Sequence, residues 1–185
     1  MAIFILLSMG LLEIVDKMSK EEGFEGAELC DSSSFISLWG INKDEPKKIL
    51  LNPVILDYER MIMENPQFLD GFLHGILHED GHRKFKGKRK TINYKEEKFC
   101  DRYANEQLKR RGKDHIEALA YVLALGSLAT PECLHYKNSI RYGIFNLSLG
   151  YFERRKAVKL FEQIMKNLVS KYSGTLPGTI TQVYS

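Results

Sequence analysis

His78-Glu79-Asp80-Gly81-His82 and, downstream, Glu97-Lys98-Phe99-Cys100-Asp101 are the stretches on which the reading of this chain turns. The first has the form H-E-x-x-H. On an α-helix, residues four apart are separated by about 40° around the axis and by one turn along it. His78 and His82 therefore present two imidazoles to one point, as a tetrahedral metal such as zinc requires. Glu79 leaves the helix about 100° away from His78. That direction suits a carboxylate that reaches a water on the metal rather than the metal itself. The second stretch repeats the i, i+4 spacing with carboxylates. Glu97 is a candidate third ligand, completing a His2Glu set with the fourth position left to water. Asp101 is a candidate acceptor for the far nitrogen of a ligand histidine, a contact that fixes the tautomer and raises ligand basicity.

The flanking sequence supplies the helices that these spacings need. Asn65-Pro66 resembles an N-cap followed by proline at the first helical position, and the helix it opens should run to about Phe85. A second helix is expected over residues 94–111, ended by Gly112. Asp114 or a neighbour should cap a third, through Leu128, and Thr130-Pro131 should open a fourth that Gly143 bends. Residues 151–172 form a long amphipathic pattern, and residues 173–185 look irregular.

Upstream of the motifs, residues 35–41 and 48–51 are rich in β-formers and flank a turn-like segment at 42–47, which reads as a β-hairpin. Asn52-Pro53 is a further cap signal. Residues 2–12 are almost wholly apolar, and residues 13–20 continue a helical pattern that Glu21-Glu22-Gly23 ends. The apolar run is far short of the ~20 residues of a membrane span and lacks a basic n-region. It reads as a buried helix or strand, with an uncleaved signal or a membrane-surface anchor as the alternative. The expected fold class is α+β and mainly α. One domain covers residues 1–185, with its core motifs in 66–111, a helical extension over 113–172 and the tail at 173–185.

A chain of 185 residues, 44% hydrophobic and 28% charged, can bury a sizeable core as one globular domain. A net charge of +3 is too mild to assign a nucleic-acid or membrane partner. Cys30, Cys100 and Cys133 are widely spaced, odd in number and outside any C-x-x-C pair. This argues against a disulfide framework and a cysteine-only zinc site, and points to a reducing, cytoplasmic compartment.

Glu97-Lys98-Phe99-Cys100-Asp101-Arg102-Tyr103-Ala104 resembles the E-x-x-A-D-x-F-A run of the gluzincin metallopeptidases, with Cys100 at the small position and Tyr103 at the aromatic one. The short link to H-E-x-x-H is most similar to the minigluzincins, the smallest members of that group. The resemblance covers roughly residues 66–111. It implies a zincin-like domain that cleaves peptide or protein substrates. It implies zinc on His78, His82 and Glu97, with Glu79 as general base and Asp101 as the orienting carboxylate. It also implies that an edge strand of the small sheet binds substrate in extended form, which makes the hairpin at 35–51 the candidate, and that a tail like 173–185 can occupy the cleft. Asp80 departs from the pattern, since these peptidases carry an uncharged residue there. A carboxylate at that position should either face solvent or disturb the site.

Other readings compete with this one. The same motif helix suits a catalytically inactive metal-binding interaction protein. Residues 77–82 also loosely resemble the core of HD-domain metal phosphohydrolases, although those need a histidine on an earlier helix and none precedes His74. His74 extends the series at one-turn spacing, but three histidines at i, i+4 and i+8 span ~12 Å of helix, so it reads as a buried or supporting residue. The basic run at residues 83–90 reads as a solvated loop, with a nucleic-acid or acidic-substrate patch as the alternative. His115, His135, Tyr103, Tyr121, Tyr136 and Tyr142 are candidates to stabilise a tetrahedral oxyanion, with the His135-Tyr136 pair preferred.

Overall fold

The computed structural model describes residues 10–30, 37–42, 46–85, 94–130 and 149–175. The chain is mainly helical with a small sheet. Helix α1 spans Leu11–Glu21 and leads into strand β1, Gly26–Leu29. Strands β2, Trp39–Ile41, and β3, Lys48–Leu51, pair antiparallel with Trp39 opposite Leu51 and Ile41 opposite Ile49. This is the expected hairpin. The sheet order is β1-β3-β2, and β1 joins parallel to β3 with Gly26 opposite Lys48. This third strand is not legible beforehand: four residues, Gly-Ala-Glu-Leu, carry too little alternation to distinguish them from a loop.

Asn52 caps a 3-10 turn over Pro53–Tyr58, its side chain accepting from the Val54 N–H at 3.1 Å. A short helix α2, Glu59–Met63, precedes helix α3, Gln67–Lys84. Helix α4, Tyr94–Arg110, and helix α5, His115–Ala129, follow. Helix α6 is Tyr151–Tyr172. Two further terminal signals act as expected. Gly112 takes a positive φ of 69° just past α4, and Asp114 accepts from the N–H groups of Ile116 and Glu117 at 2.9 and 3.2 Å. Asn65 does not cap α3 with its side chain. Its amide N–H2 donates to the Met61 carbonyl and the Tyr172 hydroxyl, so the side chain is oriented by α2 and α6 rather than by the first N–H groups of α3. The expected helix after Thr130-Pro131 and the tail from residue 176 onward lie outside the described residues, as do residues 1–9. Among the described residues no helix is long and apolar enough to cross a membrane.

Helix α3 is the centre of the molecule. Phe68, Phe72, Leu73, Ile76 and Leu77 are buried on it, and so are the polar residues His74, Glu79 and Asp80. Burial around so much of its circumference means that neighbours must approach closely, and its glycines mark where they do. Trp39 of β2 lies flat against Gly75, and its ring packs on Phe72 with centroids 5.4 Å apart. A Cβ at position 75 would fall inside the indole. This contact holds the sheet one turn before His78.

Gly75→Ala should therefore lower stability by about 1–3 kcal/mol, the usual cost of overpacking a filled core. The urea unfolding midpoint measures it. A wild-type midpoint would show that the sheet is not seated on α3 as described.

Candidate metal centre

Helices α3 and α4 meet at a second glycine. A Cβ on Gly81 would lie 2.8 Å from the Cys100 Cα and 3.2 Å from its Sγ. Only a hydrogen at position 81 permits this separation, and it brings the H-E-x-x-H face within reach of the E-x-x-x-D face. His78 Nδ1 lies 2.8 Å from Asp101 Oδ1. His82 Nδ1 lies 2.9 Å from Glu96 Oε1. Glu97 lies between the two other ring nitrogens: its Oε2 is 3.3 Å from His78 Nε2 and its Oε1 is 3.7 Å from His82 Nε2. The rings stand edge to face with centroids 5.0 Å apart.

These contacts assign roles to the ring nitrogens. A neutral imidazole has one N–H and one lone pair. A carboxylate only accepts, so each Nδ1 carries its hydrogen and donates it, to Asp101 in one case and Glu96 in the other. When the rings are neutral, as metal ligands must be, the lone pair of each lies on Nε2, on the side where Glu97 stands. Two imidazoles with one carboxylate near the Nε2 of each, and a second carboxylate behind each ring, make a candidate donor set for a divalent cation. His78, His82 and Cys100 also form a group whose ligand atoms all lie within 4.8 Å of one another. The residues present thus suit a bound metal.

The local field has the same sense. Burial alone would lower the His78 pKa, but the hydrogen bonds it donates to Asp101 and Glu97 and the charges of Asp101 and Glu79 hold it well above the ordinary histidine range. Burial would raise the Glu97 pKa, but its bond to His78 and the charges of both histidines hold it below the usual carboxylate range. The Cys100 thiol is fully buried, and burial together with the charges of Glu97, Glu79, Glu96 and Asp101 pushes its pKa far up. A divalent cation at the converging donors would reverse the sign of that field.

The other predicted residues are distributed as follows. Glu79 is buried at 7% exposure, and its charge acts on both His78 and Cys100. His74 is buried with its Nε2 3.2 Å from Asn105 Oδ1, and burial lowers its pKa to about 4, so it stays neutral. Asp80 neither faces solvent nor contacts the donor set in the bonds it makes. It is 3% exposed, accepts from Arg83 and Lys84 and from the Tyr103 hydroxyl at 2.8 Å, and is held ionised by them against its burial. Arg83 in turn donates to the carbonyls of Glu22 and Gly23 at the end of α1. Asp80 is a tie between three helices.

The Tyr103 hydroxyl is engaged there, and Tyr121 packs edge to face on Phe68. His115 Nε2 is 3.3 Å from Glu153 Oε1, at the junction of α5 and α6. His135, Tyr136 and Tyr142 lie outside the described residues, as does the basic run from residue 86 to 90. Besides Cys100, Glu96 is a site residue that spacing did not single out. Its signal is present: it stands four residues before Cys100, on the α4 face that Gly81 contacts. Comparison with known proteins gives no match, whether to a family model, a curated protein or a solved structure.

Asp101→Asn and Glu96→Gln should each keep the fold and weaken zinc affinity by roughly 10- to 100-fold, the usual effect of losing a carboxylate behind a ligand histidine. Competition with a fluorescent chelator measures this. Unchanged affinity in both variants would mean that the Nδ1 contacts do not orient ligands.

Proposed function

We propose that the chain is a zinc-dependent endopeptidase, with His78, His82 and Glu97 as the metal ligands and Glu79 as the general base. The observation that carries this reading is the pair of Nδ1 hydrogen bonds, to Asp101 and Glu96, which turn both Nε2 lone pairs toward Glu97. Two imidazoles and one carboxylate are the donor set of a zinc site that keeps a position open. The resemblance of residues 66–111 to the gluzincins supports the same reading.

Zinc bound there would lower the pKa of a water it holds toward ~7 and polarise a substrate carbonyl. The chain's own residues account for the remainder. Glu79 follows His78 on α3 and is rotated about 100° from it, so it borders the donors without joining them. It is buried beside the donors, where a carboxylate can accept a proton and then release it. It would take the proton from the attacking water and deliver it to the leaving amine. Asp101 and Glu96 would hold the histidines in one tautomer throughout.

The position of Cys100 favours a second reading: a closed metal centre in an interaction protein without hydrolysis. Glu79→Gln tests the first reading against it. Glutamine keeps the size and hydrogen bonding of glutamate but cannot accept the proton. The variant should bind one zinc per chain, as wild type does, and lose nearly all cleavage of an unfolded protein such as casein. Equal cleavage by variant and wild type would remove Glu79 as the base. A zinc-loaded wild type and Cys100→Ala variant that both cleave nothing would favour an interaction protein without hydrolysis.

A further inference from the structure

The geometry points to Cys100 as a fourth metal donor, competing for the coordination position that hydrolysis requires for water. This rests on the metal centre described above and specifies how that centre is regulated. The case begins with place. Cys100 is on α4, three residues after Glu97, and packs against the α3 backbone at Gly81, between the two histidines. Its sulfur and one nitrogen of each histidine lie within 4.8 Å of one another. A tetrahedral zinc with Zn–N of about 2.0–2.1 Å and Zn–S of about 2.3 Å separates its donors by roughly 3.3–3.6 Å. The group needs to contract by roughly 1.2–1.5 Å at most, within reach of a cysteine χ1 adjustment and small imidazole shifts.

The chemistry agrees. Cys100 makes no disulfide. Thiolate is a strong zinc donor, and a centre with four protein donors has no open position. With a metal bound, the Cys100 sulfur would replace a water in its coordination, the thiol proton leaving with the displaced water. No oxidant or reductant is needed. The two states then differ by one ligand: a closed form with sulfur bound, and an open form with water bound and Glu79 beside it. Cys100 would set the fraction of open enzyme without entering the hydrolysis itself.

Cobalt(II) in place of zinc gives a readout that does not depend on activity, because a sulfur ligand to cobalt produces a near-ultraviolet charge-transfer band that nitrogen and oxygen ligands do not. Wild-type protein loaded with one cobalt should show the band. Cys100→Ala should bind one cobalt and lack it, and Cys100→Ser, closer in size, should do the same if the alanine variant folds poorly. In the zinc form, removing a sulfur that holds most molecules closed should raise casein cleavage roughly tenfold, as a shift from a minor to a major competent population does. Cobalt bound to wild type without the band overturns the inference and leaves the three-ligand centre standing. No cobalt bound at all overturns both.

Discussion

The close approach of α3 and α4 at Gly81 and Cys100 is the constraint on which the site depends. Two helices carrying large side chains at their contact keep their axes some 8–10 Å apart. Here position 81 has no side chain and position 100 has a small one, and the Cys100 Cα lies 2.8 Å from where a Cβ on residue 81 would be. That contact lets Asp101 reach one imidazole while Glu96 reaches the other. Any β-carbon at position 81 would push α4 outward and lengthen both bonds, together with those from Glu97.

Around this contact the charges separate into two groups. On one side Asp101, Glu96 and Glu97 surround two histidines, an arrangement that attracts a cation. On the other, Asp80 binds Arg83, Lys84 and Tyr103, while Arg111 donates to Glu22 at 2.8 Å. The second group needs no cation, because its carboxylates are already matched by guanidinium and ammonium groups. It anchors the end of α3 to α1 and α4. The carboxylate inside the H-E-x-x-H motif thus belongs to the scaffold and uses basic residues that follow the motif.

Most of the fold was legible because its helices are long and their ends carry chemical signals. Asn52, Gly112 and Asp114 act at the termini to which their side chains or backbone suit them. The failures have a common cause, which is tertiary demand on a locally ambiguous group. Asn65 is drawn away from its cap by Tyr172, more than a hundred residues on. Strand β1 exists because β3 offers it an edge, which four residues cannot reveal by themselves. Spacing brought out His78, His82, Glu97 and Asp101, since i, i+4 geometry is local. It could not show that Glu96 would bind the second histidine, because that depends on the rotation of α4 against α3. For the same reason Cys100 read as a small filler until the helix contact placed it among donors.

The proposed metal ion is held jointly by α3 and α4, between His78, His82 and Glu97. An anomalous difference map from crystals of the zinc-loaded full chain, collected at the zinc edge, tests that placement most directly. One peak is expected, about 2.0–2.2 Å from both Nε2 atoms and from a Glu97 oxygen, whether sulfur or water completes the set. A peak elsewhere, two peaks, or none at a zinc excess sufficient to fill a micromolar site would contradict it.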